Sequence, residues 1–191
     1  MNIMGELALL SHLAEREISP DLAERLVPLI RRMEYPKGSL ILGAGELSRY
    51  WYLVEKGLLR QFYYKNGRDV TEHFSAEGDL VVCIESLFGR KPTRLLVEAI
   101  EPAVVYLLEY DRWKRLCAED PEAGGINVRL MERMLVVSQQ KADSWRFESA
   151  SERYERFLKD FPEAARRAPV SDIASYLLMT PETLSRIRGG K

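Results

Sequence analysis

The spacing of apolar positions divides the chain into three regions of different period. In the first, "SPDLAERLVPLIRRM" over residues 19–33, Leu22, Leu26, Ile30 and Met33 share one face of a predicted helix. Ser19 is placed to cap it and Pro20 suits its first position, while Pro28 is expected to bend or divide it.

From about residue 36 to 110 the period shortens to that of strands. "YWYLVEKGLLRQFYYKNGRDVTEHF" has two aromatic and β-branched runs around Lys56-Gly57, and then Asn66-Gly67, a dipeptide that suits a tight hairpin turn. "GDLVV", "RLLVEAI" and "VVYLLE" continue the series, and many short strands at such intervals predict an antiparallel barrel or sandwich.

A helical period returns at Asp120-Pro121, a plausible start. Val128, Met131, Leu135, Ser138, Ala142 and Trp145 then alternate by three and four, a coiled-coil-like seam that predicts pairing with a second copy of the chain. The competing reading packs this stripe on its own barrel. Gly124-Gly125 is expected to weaken or kink the first turns. Ser149 and Glu152 form a predicted capping box for a further helix, which Pro162 stops near Phe161.

The chain ends on "SDIASYLLMTPETLSRIR", residues 171–188, which reads as two short helices around a tight corner. Ile173, Ala174 and Leu177 give the first an apolar face. Thr180-Pro181 opens the second, where Leu184 and Ile187 must face inward. At about 100° per residue the opposite face carries Glu182 and Arg186, flanked by Thr183 and Ser185. Arg186 suits a guanine edge, Glu182 a cytosine amine, and Thr180 with the first backbone amides a phosphate. Arg188 adds a second cation to the last turn. The plainer alternative is a solvated ion pair on an ordinary surface helix.

Composition changes this picture only in part. The chain has 191 residues, 46% hydrophobic and 30% charged, with a net charge of -1, so attraction to a polyanion must be local. Residues 151–191 carry eight basic and six acidic side chains, a net +2 that leaves -3 for the remainder. The best apolar run, "LLVEAIEPAVVYLL", is broken by Glu98 and Glu101 and is too short for a bilayer, and the N-terminus does not read as a signal peptide; a soluble, cytoplasmic protein without membrane contact is expected.

Two cysteines, Cys83 and Cys117, exclude a disulfide framework or a four-thiolate cluster. Cys83 beside Glu85 admits a redox thiol, although a buried hydrophobe is the simpler reading. His12 and His73 are too few for a clustered metal site and offer no clear haem ligand. No catalytic residue, metal or cofactor is assigned, and an enzyme is not expected.

"KGSLILGAGELSRYWYLVEKGLLRQFYYKNGRDVTEHFSAEGDLV" resembles the cyclic-nucleotide-binding β-roll of bacterial Crp/Fnr regulators, and "IASYLLMTPETLSRIR" resembles their helix-turn-helix. The resemblance covers nearly the whole chain. It implies an α+β architecture: an antiparallel, jelly-roll-like β-roll sensor with N-terminal helices over 1–119, a dimerisation helix over 120–147, and a helix-turn-helix domain over 148–191. It further implies a homodimeric transcription regulator that reads palindromic double-stranded DNA, with RNA polymerase as a further partner. The base-reading positions fall on Glu182 and Arg186, with Thr180 and Thr183 as auxiliary contacts.

Three features depart from the family pattern. Leu178 occupies a corner where glycine is usual, and little chain follows "RIR" to build a β-wing, so Gly189-Gly190-Lys191 is expected to fray. In the effector region, "VVCIESLFGRKPTRLLVEAI", Glu85, Ser86, Thr93 and Arg94 are the candidate pocket residues, yet no glycine precedes Glu85 and Arg94 is shifted by one strand position. Arg94 is accordingly expected to face solvent. Cyclic AMP is not predicted, and the effector is left unassigned. An alternative function is a sensor or scaffold whose C-terminal helices bind a protein rather than DNA.

Overall fold

The computed structural model describes residues 17–190. His12 and Lys191 lie outside the described residues. Helix α1, Pro20–Leu26, starts as its sequence dictates: the Ser19 hydroxyl accepts from the Leu22 amide, and Leu22 and Leu26 are buried. The predicted helix over 19–33 is nevertheless half that length. Pro28 falls in a 3-10 turn, Val27–Leu29, after which the backbone extends into β1, Ile30–Tyr35. Ile30 and Met33 therefore belong to a strand, and Met33 is 41% exposed instead of lying on a helical core stripe. The missing proline N–H ends the helix, and the pairing of Ile30 with Leu108 offers the following residues a complete hydrogen-bond ladder.

The strands that follow are β2 (Leu40–Leu42), β3 (Tyr50–Lys56), β4 (Leu59–Lys65), β5 (Arg68–Ser75), β6 (Leu80–Val81), β7 (Leu96–Ala99) and β8 (Ala103–Glu109). They form two antiparallel four-stranded sheets, ordered β1-β8-β3-β6 and β2-β7-β4-β5. Tyr52, Val54, Val105 and Leu107 of the first sheet meet Leu59, Val97 and Ala99 of the second. The opposite face of the first sheet presents Trp51, Leu53, Tyr106 and Leu108 to the helices. Both faces of β3 are buried, so its sequence, "YWYLV", is apolar almost without alternation.

Asn66 and Gly67 both adopt positive φ, at 53° and 75°, in the two-residue turn that fixes the β4–β5 register. Gly57 has a second constraint besides its φ of 98°: a β-carbon there would stand 2.7 Å from the Pro102 carbonyl oxygen. A short helix absent from the sequence prediction, α2 (Ile84–Gly89), separates β6 from β7.

Helix α3, Tyr110–Glu119, is followed at once by α4, Pro121–Phe147. Asp120 caps α4 by accepting from the amides of Glu122 at 2.9 Å and Ala123 at 3.1 Å. The helix continues through the glycine pair rather than breaking there. Gly124 serves packing instead, since a β-carbon would lie 3.1 Å from the Cys117 carbonyl oxygen in α3. Ala123, Ile126 and Leu130 face the roll, beside Trp113 and Leu116.

The C-terminal region comprises α5 (Ala150–Asp160), α6 (Pro162–Arg167), α7 (Val170–Tyr176) and α8 (Pro181–Arg188). The Ser149–Glu152 capping box is formed in both directions. Phe157, Ile173, Ala174, Leu177 and Leu184 make a small core that also takes in Leu58 and Phe74 of the roll. Residues 148–190 thus share their core with the roll.

Candidate nucleic-acid interface and effector cavity

Thr180 initiates α8 by accepting from the Thr183 amide at 3.3 Å. Leu184 is fully buried and anchors the helix, leaving Glu182, Ser185, Arg186 and Arg188 exposed. Arg186 Nη2 donates to Thr183 Oγ1 at 3.2 Å, and the two threonine hydroxyls are 3.2 Å apart. A polar ridge of Thr180, Thr183 and Arg186 results, with the guanidinium only singly engaged. Glu182 is held below the usual carboxylate range by its own backbone amide and the Thr180 hydroxyl, so it is charged at neutral pH. Arg188 departs from this ridge and lies over the Tyr154 ring at 5.7 Å. Leu178 forms the corner in the left-handed conformation, φ 54°, and is 55% exposed.

The six seam residues of α4 divide by burial. Val128 is 54%, Leu135 72% and Trp145 39% exposed; Ser138 is also exposed, while Met131 and Ala142 are half-buried. On a helical wheel this stripe lies about 110° from the face that holds Leu130 against the roll. Met131 packs on the core beside the roll, and Ser138 and Trp145 line a cavity against it, so Val128 and Leu135 are the seam residues that stand off the barrel.

A cavity of about 500 Å³ opens between the roll, α4 and the C-terminal helices. Of the four sequence-predicted pocket residues only Glu85 lines it. Ser86 is buried, donating to the Lys91 carbonyl at 2.6 Å and accepting from the Ser48 amide. Thr93 is buried through a hydroxyl bonded to Leu95, and its backbone pairs with Gly45 and Glu46. Arg94 is exposed and outside the cavity. The backbone pairing at Thr93 fixes the register of this segment and sends the next side chain outward.

The cavity lining instead includes residues with no local motif: Gln61 on β4, His73 on β5, Lys141 on α4 and Tyr176 on α7. His73 meets Phe161 edge-on at 5.1 Å, and burial together with nearby Lys141 pulls its pKa down to about 4. It is a packed, neutral imidazole. Burial pushes the Cys83 thiol up, the opposite of a reactive thiolate. The one available signal for Gln61 was "LRQF", two long polar residues inside an otherwise buried strand.

The two halves are also joined by polar contacts. Arg60, 7% exposed, reaches Asp69, Glu98 and, on α7, Asp172. The Thr71 amide donates to Ser175 Oγ at 2.8 Å, and Arg167 spans Glu77 and Glu101.

Residues 32–120 match the cyclic nucleotide-binding domain family. FixK2 from Bradyrhizobium japonicum is similar over 84% of this chain and 83% of its own, with 23% identity and a TM-score of 0.72. A chain from Eubacterium rectale described as a transcriptional regulator of the Crp/Fnr family aligns over 89% and 82%, with 16% identity and a TM-score of 0.67. The protein has the Crp/Fnr fold. A third Crp/Fnr-like structure, the c-di-GMP responsive global regulator CLP from Xanthomonas campestris, is 17% identical over 90% of this chain and 91% of that one, with a TM-score of 0.67. No curated protein sequence matches the chain. The Crp/Fnr arrangement of roll, long helix and C-terminal helices is therefore reached here with a small shared sequence component.

Proposed function

We propose that this protein is a cytoplasmic, homodimeric transcription regulator that reads a palindromic DNA site through α8. The observation that carries the reading is the division of α8: Leu184 is fixed in the core, so Glu182 and Arg186 stand together on the exposed side. That side meets a major groove, while Thr180 and the first amides of α8 meet phosphate. Val128 and Leu135, exposed on α4, pair with their copies across a two-fold axis, and the two α8 helices then address half-sites about 34 Å apart. RNA polymerase contact and control by a molecule in the cavity belong to the same proposal. FixK2 and CLP, similar across both halves of the chain, support it.

The 55% exposed Leu178 favours a second reading, in which the C-terminal helices bind a protein. Selection from a randomised duplex library at about 50 and 200 mM salt decides between them. Enrichment of a palindrome, with affinity falling by orders of magnitude across that range, is the expected result for DNA readout. No enriched sequence at either salt, with and without cyclic nucleotides, would sink it.

A further inference from the structure

We propose that the cavity between the roll, α4 and the C-terminal helices binds a small, mainly apolar molecule with one neutral hydrogen-bonding group, rather than a cyclic nucleotide. This rests on the reading of the chain as an effector-controlled regulator and names the class of effector.

The volume of about 500 Å³ falls within the range of small-molecule sites. Val82, Leu95, Met134, Phe161 and Tyr176 are among its apolar and aromatic lining. Beside them, in a lining that also carries charged residues of both signs, stands Gln61, which is 6% exposed. Its Nε2 has only two long contacts, 3.4 Å to the Val82 carbonyl and 3.4 Å to Cys83 Sγ. Its Oε1 has no partner among the described residues. The amide oxygen is not among the fully enclosed unpaired atoms, so it stays reachable, and an occupant with a matching donor or acceptor completes this amide. His73 adds a neutral imidazole that makes no hydrogen bond among the described residues.

Along the Glu85–Arg94 segment no cation and no uncommitted hydroxyl faces the cavity to hold a cyclic phosphate. Ser86 and Thr93 spend their hydroxyls on backbone groups, and Arg94 is outside. Arg60, adjacent to Gln61 and on the other face of β4, is surrounded by Asp69, Glu98 and Asp172. Among the lining cations, Lys141 pairs with Glu72 and Arg156 with Glu148, Arg133 has a partner of its own, and Arg153, on α5 rather than the roll, donates to the Glu148 carbonyl while its Nε is left without a partner among the described residues. Glu85, at the wall where a phosphate would be sought, adds negative charge.

Phe157, Phe161 and Tyr176 come from the region that carries α8. An occupant consequently touches the sensor and the C-terminal helices at once, and favours their docked arrangement by its differential affinity for it.

The test uses the full chain without DNA. The neutral fluorophore N-phenylnaphthylamine is titrated in, and cyclic AMP and cyclic GMP are titrated by calorimetry and as competitors. Saturable uptake of one fluorophore per chain is expected, with no heat or displacement by either nucleotide up to about 1 mM. Val137→Trp from the helix side and Ile84→Trp from the roll side, both at partly exposed positions, fill the cavity and should each weaken uptake about tenfold while the thermal midpoint is retained. Displacement by a cyclic nucleotide, no saturable uptake by the wild type, or wild-type uptake by both folded variants would overturn the proposal. Because no DNA is present, failure here leaves the library selection standing, and a failed selection leaves the fluorophore result standing.

Discussion

Arg60 Nη1 lies 3.0 Å from Asp172 Oδ1, an ion pair that ties β4 of the roll to the first helix of the C-terminal pair. The side chains are 8% and 14% exposed, and Asp69 and Glu98 share the same guanidinium. Three carboxylates around one buried cation make the partners unequal. Burial, the largest influence, raises the Asp172 pKa even beside Arg60.

The two single substitutions should therefore differ widely. Arg60→Ala leaves a cluster of carboxylates without their cation and is expected to cost about 3–5 kcal/mol in urea unfolding. Asp172→Asn removes one buried negative charge while Asp69 and Glu98 still satisfy Arg60, and its cost should stay within about 1 kcal/mol. Equal losses for the two variants would contradict this account.

Acid should loosen the docking through a different pair. Glu77 accepts from Arg167 at 2.7 Å and from the Gly57 amide at 2.7 Å, and the Arg167 hydrogen bond is the main cause that lowers its pKa from 4.5 to about 2. A carboxylate lowered in the folded state adds stability above its ordinary pKa and loses it as pH falls toward the lowered value. Asp172, raised by burial, acts in the opposite direction and offsets part of that loss. Glu77 is 39% exposed, so solvent and salt reduce the effect. Glu77→Gln should be less stable than the wild type at neutral pH and converge with it between about pH 4.5 and 2. Parallel stability curves over that interval would rule this linkage out.

At Leu178 the backbone is the expected source of instability. A non-glycine residue with φ of 54° carries about 1–2 kcal/mol of steric strain, of which the greater freedom of an unfolded glycine would return a part. The side chain is 55% exposed, so little packing is lost on its removal. Leu178→Gly should stabilise the protein by about 0.5–1 kcal/mol, measurable as a raised unfolding midpoint. A lowered midpoint would mean that the leucine side chain holds the corner.

These cases mark what local sequence could and could not carry. Asn66-Gly67, Asp120, the Ser149–Glu152 box and Thr180 acted as expected because each satisfies nearby backbone groups. Leu178 was marked by the resemblance alone, as a leucine where glycine is usual, and its positive φ accounts for that preference. Ile30 and Met33 misled because a spacing of three is compatible with a helix, whereas the partner that decided their strand is Leu108 and its neighbours, far along the chain. Helix α2 has only six residues, too few to show a period. Gln61, Lys141 and Asp172 gain their roles from neighbours that folding alone assembles, and Arg94 was placed outward by the pairing of Thr93 with Gly45 and Glu46.

Leu135 tests the proposed two-fold interface. It is 72% exposed on α4, away from the Leu130 face, so a charge there should leave the fold of one subunit intact. Placed in an apolar seam against its own copy, that charge is desolvated twice and repels itself. Leu135→Glu is expected to sediment as a monomer with an unchanged far-UV circular dichroism spectrum, and to lose affinity for a full palindrome while retaining weak half-site binding. A dimer of wild-type stability would exclude this face from the interface.

Arg186 makes the sharpest demand on the proposed recognition surface. Its guanidinium has one contact within α8, a 3.2 Å hydrogen bond to Thr183 Oγ1, and is otherwise exposed, so its remaining donors can address a base edge bidentately. Arg186→Ala should cost about 1–3 kcal/mol per half-site on the selected duplex and relax preference at a single base position. Arg166→Ala is the companion: this side chain is 70% exposed on α6 and paired with Glu163, and its removal should change neither preference nor fold. If Arg186→Ala weakens all sequences equally and only lowers the salt dependence, the guanidinium contacts phosphate, and base selection must come from Glu182 or from the shape of the duplex.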